Sequence, residues 1–289
     1  MRTSIAITNF SWPAPDTIAA DLDALAEAAD GGGIDTIFVA DHVQQAEPGT
    51  ERSEPMLEAF TTLSHLAART ERVRLGTMVA SVTLRAPALL VKAVTTLDVL
   101  SGGRAWFGVG AGYHLPELDD LGVPLPPTGE RFDWLEDTVE LAHRMWSGDD
   151  AAFAGRRLRA GRPIASPSPR TQPHPPILVG GWGKKRTLPL VARCADACNL
   201  PDMPDGGELI RQSLRVLAAQ CDAHERPFEQ IEKTVSTRFS PGETPDDMIE
   251  RARTLAALGM DHVVVLTRGP WTTDHVAALA RAVPYIADL

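Results

Sequence analysis

The sequence predicts an α/β chain folded as a single (β/α)8 TIM barrel over residues 1–289, with a long loop after the fourth strand and an insertion before the fifth. Two observations carry this. Short, continuous, β-branched runs, of the kind that parallel strands buried on both faces require, recur along the whole chain. They alternate with helical segments, eight of each, and that rhythm is the signature of the barrel.

The first strand is "TSIAITN" (3–9), ending at Asn9. "DTIAADLDALAEAADGGG" (16–33) opens on an acidic cap, sets Ile18, Leu22 and Leu25 at helical spacing, and stops on Gly31 to Gly33. "DTIFVADH" (35–42) is the second strand, 55–70 a helix and "RVRLGTMVAS" (72–81) the third strand. The helix 87–103 has Pro87 at its start, where a missing N–H costs nothing, and Gly102-Gly103 at its end. "RAWFGVG" (104–110) is the fourth strand. Residues 113–128, punctuated by Pro116 and "VPLPP", read as a Pro-rich loop before the helix 129–148. An Arg- and Pro-rich insertion (149–176) follows, and connections this long read as lids or binding loops. "PPILVGG", "DACNLP", "EKTVSTRFS" and "DHVVVLTRG" are strands five to eight. The helices 184–195, 206–225, 245–259 and 274–286 follow them in turn, and Pro189 fits only the first turns of its helix.

Composition narrows the function. A hydrophobic share of 44% with 23% charged residues suits a soluble globular enzyme. The formal charge of −10 argues against nucleic acid and anionic membranes as partners, since both need a basic footprint. Cys194, Cys198 and Cys221 form neither a disulfide framework nor a zinc motif and read as reduced packing residues. The N-terminus reads directly as a strand rather than a signal segment, and no apolar run approaches the roughly 20 residues of a membrane span. A cytoplasmic location is expected.

Barrel chemistry lies at the C-terminal ends of the strands. Those ends hold Asn9, then Asp41-His42, then Met78 to Ser81, then Gly110-Ala111-Gly112-Tyr113-His114. Gly180-Gly181-Trp182-Gly183, Asn199, Arg238 and Thr267-Arg268 complete the rim. The glycines of "FGVGAGYH" raise the Rossmann fingerprint, which needs glycine at its first, third and sixth positions. Gly108 and Gly110 fit, but the sixth place is Tyr113. The run reads instead as an active-site loop that lets backbone approach a ligand. Asp41 is the one clearly placed carboxylate, too few for the pair a glycosidase uses. Asp41 and His42 are adjacent and so point to opposite faces, which disfavours a shared metal; none is assigned. A rim rich in glycine suits a large planar cofactor, and "VGGWGKKR" reads as a backbone phosphate cradle followed by Lys184, Lys185 and Arg186. His65, His143, His224, His262 and His275 fall away from the rim and read as structural or surface residues.

These residues resemble the luciferase-like flavin or deazaflavin oxidoreductases, nearly end to end. The likeness runs through "FVADHV", "RVRLGTMVASVTLRAPALLVKAVTTLDVLSGGR", "FGVGAGYHLPEL", "GERFDWLEDTVELAHRMWSG" and "PHPPILVGGWGKKRTLPLVARCADACNL". "TLDVLSGGR" is its specific string. The pattern is most similar to the branch that uses the deazaflavin coenzyme F420, with FMN as the alternative cofactor.

The resemblance implies an isoalloxazine-like ring at the barrel mouth, Asp41 and His42 at its edge, and a non-prolyl cis peptide at Met78–Val79 against its face. It implies a phosphate-binding turn at Gly180 to Gly183, next to Lys184, with Ser81, Gly110, Ala111, Gly112 and Tyr113 also on the cofactor. His42 and Tyr113 are the expected proton-handling residues, and Asn9, His114, Asn199 and Arg238 are assigned to the substrate pocket. The implied reaction is hydride transfer between F420 and a small organic substrate, taken as reduction of a C=C or C=N bond. An FMN-dependent two-component monooxygenase is the alternative, and a non-catalytic flavin-binding barrel the third reading. A homodimer is expected, as is a separate reductase or dehydrogenase that regenerates reduced cofactor.

Two departures stand out. The sugar-phosphate dehydrogenases of the family carry a tryptophan and a glutamate where this chain has Ala46 and Tyr113, which argues against sugar-phosphate oxidation. The family's Arg-His-Pro after the third strand is here Arg85-Ala86-Pro87. Finally, Lys184 to Arg186 and Arg156, Arg157, Arg159 and Arg162 are expected to attract an anionic cofactor tail against the negative net charge.

Overall fold

Eight parallel strands close into a ring: β1 (Arg2–Ile7), β2 (Thr36–Val39), β3 (Arg74–Thr77), β4 (Ala105–Gly110), β5 (Ile177–Gly180), β6 (Ala197–Pro201), β7 (Glu232–Arg238) and β8 (His262–Leu266). The computed structural model describes residues 1–240 and 242–289, without the side chain of Leu115. Each strand pairs with the next in sequence, and β8 returns to β1 in a register running from Arg2↔His262 to Ile5↔Val265. The barrel read from the sequence is thus the barrel observed.

The strands are apolar without a break because both of their faces are covered. Alternate residues such as Ile5, Ile37, Phe107, Val179 and Val263 pack outward under the helices. Between them Ala6, Phe38, Trp106, Leu178, Ala197 and Val264 turn inward as a separate cluster that fills the barrel. The lower interior is closed by polar contacts. His262 joins Ser4 Oγ (2.6 Å) to Glu232 Oε1 (2.6 Å), and the Arg74 guanidinium lies 4.6 Å over the Trp106 ring. Open space is left at the other end, where the βα loops are.

The outer layer consists of α1 (Ile18–Gly31), α2 (Ala59–Arg69), α3 (Pro87–Ser101), α4 (Leu115–Asp120), α5 (Thr128–Trp146), α6 (Thr187–Cys194), α7 (Glu208–Ala223), α8 (Pro245–Ala257) and α9 (Thr273–Ala287). Pro189 sits in the first turn of α6, as its missing N–H requires. α2 begins four residues later than the pattern predicts, because Glu58 caps it by accepting from the Thr61 amide (2.7 Å). None of the helices is long and apolar enough to cross a membrane, among the described residues. The cysteines are unpaired, and burial pushes the Cys198 thiol up to about 12.

Three expectations are corrected. The third strand is not continuous: β3 ends at Thr77, the Met78–Val79 peptide is cis, and Ala80–Ser81 pairs separately with Val109 and Gly110. The loop 113–128 contains α4, whose Pro116 occupies the first turn, the one helical place where proline is at home. The insertion 149–176 is not a lid. It joins the end of α5 to the start of β5, so it lies at the N-terminal end of the barrel. There a short antiparallel hairpin pairs Phe153–Ala154 with Arg159–Ala160, and buried Asp137 accepts from the amides of Arg156, Arg157 and Leu158 (2.7–3.0 Å). Asp98 likewise accepts from the Arg170 and Thr171 amides (2.6 and 2.9 Å).

Candidate active site

The open end of the barrel holds a cavity of about 770 Å³. Asp41 and His42 enter it from the end of β2, and Met78, Val79 and Ser81 from the segment after β3. Gly110, Ala111, Gly112, Tyr113 and His114 line it after β4, and Gly180, Gly181, Trp182 and Gly183 after β5. Asn199 of β6, Ser236 of β7 and Leu266 of β8 close the far wall. Leu118 and Phe132 add apolar surface.

Three of the residues assigned to the site do not line this cavity. Lys184 is not in the lining; its Nζ donates to Gln212 Oε1 (2.9 Å). Asn9 and Arg238 lie beside the cavity, around a carboxylate not anticipated from the sequence. Glu47 Oε2 accepts from Asn9 Nδ2 (2.8 Å) and the Gly269 amide (3.0 Å), and Glu47 Oε1 is 3.7 Å from Arg238 Nη1.

Glycine serves packing here. A Cβ on Gly110 would lie 2.8 Å from Val79 Cγ2, and one on Gly180 would lie 2.9 Å from the same methyl. The two glycines therefore make room for Val79, which sits between β4 and β5. Gly110 and Gly180 remain in the cavity lining, with Val79 beside them.

Asp41 is buried and held from one side only. Its Oδ2 accepts from Arg85 Nη1 (2.7 Å) and the Ser81 amide (3.0 Å), and Arg85 also reaches Glu58. Burial pushes the Asp41 carboxyl above its ordinary value, with Arg85 opposing. Asp41 Oδ1 has no hydrogen-bond partner in the chain, among the described residues.

The second unanticipated carboxylate is Glu117 of α4, 3% exposed and in the cavity wall. Its Oε1 lies 3.1 Å from His42 Nδ1, and its Oε2 accepts from the Val43 and Gln44 amides (3.1 and 3.4 Å). Burial would raise its pKa, but His42 and the two amides outweigh that and hold it below the usual glutamate range. Tyr113 and His114 stand edge-on to the His42 ring, at 6.0 and 5.3 Å between centroids. Pro116, in the first turn of α4 and one residue before Glu117, is the signal from which the helix could have been read.

The turn after β5 is split in role. The Gly181 amide continues the barrel ladder by donating to Asn199 O (3.1 Å). The amides of Trp182, Gly183 and Lys184, just before α6, have no acceptor within the chain, among the described residues. The insertion arginines are engaged elsewhere. Arg156 and Arg157 pair with Asp133, Glu136 and Glu130 at 3.3–3.6 Å, Arg186 with Asp133 and Glu136 at 2.7–2.8 Å, and Arg162 with Asp150 at 2.8 Å.

Comparison with known proteins gives this arrangement a family. The luciferase-like monooxygenase family model matches residues 1–287. The chain belongs to that family. An uncharacterized protein of Mycobacterium tuberculosis is 35% identical over an alignment of 186 residues that covers 60% of this chain and 64% of that one. The chain thus spans about 64% of the length of that relative. An F420-dependent glucose-6-phosphate dehydrogenase of Kineococcus radiotolerans is 32% identical over 234 residues, covering 80% of this chain and 67% of that one. The solved structure of an F420-dependent secondary alcohol dehydrogenase, in complex with an F420-acetone adduct, superimposes with a TM-score of 0.82 over 99% of both chains. At 15% identity that likeness establishes the shared barrel fold alone.

Proposed function

We propose that this luciferase-like chain is an F420-dependent oxidoreductase that moves a hydride between the deazaflavin and an uncharged small organic substrate. Two vacant hydrogen-bonding positions in one cavity carry this reading. Asp41 Oδ1 is a buried acceptor without a donor, and the solvent-facing amides of Trp182 and Gly183 donate to nothing else in the chain, among the described residues. A planar ring with an N–H edge suits the first, and a phosphate suits the second. When bound, the deazaflavin supplies a carbon that takes or gives two electrons as hydride, leaving the protein to orient, exclude water and manage protons. Met78, Val79, Leu118 and Phe132 provide the apolar walls that exclude water. His42, with Tyr113 beside it, is the group that moves the proton. In the reducing direction, addition of hydride to a C=C or C=N bond leaves an anionic centre that His42 protonates.

The substrate class follows from what lines the cavity. No Lys or Arg does so, among the described residues. A phosphate ester would lose its hydration there without a cation to replace it. The sugar-phosphate activity named for the relatives is accordingly not carried over, in agreement with Ala46 and Tyr113.

Anaerobic titration with F420 and with FMN tests the cofactor. F420 is expected to bind at micromolar affinity or better, and more tightly than FMN. Tighter FMN binding, with oxygen consumed by the reduced flavin complex, would support the monooxygenase reading instead, which the name of the family keeps as the rival. Turnover of phosphorylated substrates in preference to neutral alcohols, enones and imines would overturn the substrate class.

A further inference from the structure

We infer that Glu117 is a positioning residue for His42: it fixes the imidazole as the Nδ1–H tautomer and leaves the Nε2 lone pair to the cavity. Glu117 Oε1 and Oε2 lie 3.1 and 3.3 Å from His42 Nδ1, while Oε2 also takes the Val43 and Gln44 amides. An ionised carboxylate only accepts, and each of its other two partners is an N–H. The hydrogen of the third contact must then sit on His42 Nδ1. Among the described residues Nε2 has no partner in the chain, although the ring is boxed by Tyr113 and His114.

The consequence for catalysis rests on the oxidoreductase reading above. With Nδ1–H held, neutral His42 has one vacant proton site, and it belongs to the cavity. In alcohol oxidation the hydroxyl proton passes to Nε2 while the C–H electron pair departs as hydride to the cofactor. The substrate becomes a carbonyl, two electrons poorer, and His42 becomes imidazolium beside the Glu117 carboxylate. In reduction the imidazolium returns that proton from Nε2. The opposite tautomer has an N–H where the reaction needs a lone pair, the failure known from hydrolases whose orienting carboxylate is made an amide.

Long-range 1H–15N NMR of the cofactor-free, 15N-histidine-labelled protein reads the tautomer directly. His42→Ala identifies the resonances. The wild type is expected to carry hydrogen on Nδ1. In Glu117→Gln the amide oxygen keeps the Val43 and Gln44 N–H groups and its NH2 donates to Nδ1, so the hydrogen is expected on Nε2. Glu117→Ala is expected to move the ring toward the mixture of a free histidine and serves if the glutamine variant misfolds. Hydrogen on Nε2 in the wild type, or one tautomer throughout, overturns the inference. With cofactor bound, Glu117→Gln is expected to lower kcat on the order of a hundredfold or more at nearly unchanged KM. Failure of the wild type to bind F420 would sink the oxidoreductase reading and leave the tautomer measurement standing.

Discussion

The His42 side chain is 19% exposed and opens on the cavity, where its loss removes a proton-handling group. His42→Ala is expected to lower turnover by about 10²–10⁴-fold, the range of a lost general acid or base. Thermal denaturation is expected to shift by only a few degrees, because one lost contact of about 1 kcal/mol moves a chain of this size by roughly 2–4 °C. A large fall in melting temperature with turnover unchanged would make His42 structural. Tyr113 is 76% exposed. Tyr113→Phe is therefore expected to slow turnover less than His42→Ala, and an equal loss would transfer the proton to the phenol.

At the scale of elements, two joints hold the cavity. The first is the wedge of Val79 between β4 and β5. Gly110→Ala and Gly180→Ala each force a carbon to within 2.8–2.9 Å of the Val79 methyl. Urea denaturation is expected to register a loss of about 1–3 kcal/mol for each, the usual cost of overpacking. In a Val79→Ala background the same substitutions are expected to cost less, and strictly additive losses would show that something else resents the new methyl. The second joint is Glu117, which ties α4 to the segment after β2. Its folded-state pKa is depressed, so its contribution is present above the unfolded pKa and lost as pH falls through the folded one. The Val43 and Gln44 amide resonances are expected to shift together on acidification below the ordinary glutamate range. The transition is expected to vanish in Glu117→Gln. Independent shifts, or no change before global unfolding, would detach Glu117 from this joint.

The whole molecule bears a formal charge of −10, and three of its insertion arginines, Arg156, Arg157 and Arg162, pair with its own carboxylates, while Arg159 donates to the backbone carbonyls of Gly155 and Leu158. Exposed pairs of this kind add little stability and leave those three guanidinium groups largely neutralised. If backbone amides rather than side-chain charge hold the phosphate, F420 affinity is expected to stay within about threefold across roughly 0.05–0.5 M salt. Arg156→Ala with Arg159→Ala is expected to leave it within about twofold, whatever the length of an anionic tail. A steep salt dependence or a tail-dependent loss, measured by fluorescence titration, would restore the arginines to the cofactor.

Much of this was legible in the chain itself. Continuous β-branched runs, glycine helix stops and acidic caps are local signals, and they determined the barrel and the order of its elements. Because a barrel gathers strand ends at one mouth, the same reading brought Asp41, His42, the glycines of β4 and β5, and Asn199 to one cavity. Contacts between segments distant in sequence were decided by tertiary structure. Glu117 is 75 residues from His42, and Glu47 is 222 from Gly269. Nothing in a linear string ranks one acidic residue of a loop above another until the loop's path is known. The arginines show the same limit from the other side. Their number was visible, but whether each faces a ligand or a carboxylate depends on which end of the barrel its loop occupies. The position of the insertion between a helix and the next strand fixes that end, and folding alone brings Asp133 and Glu136 within reach.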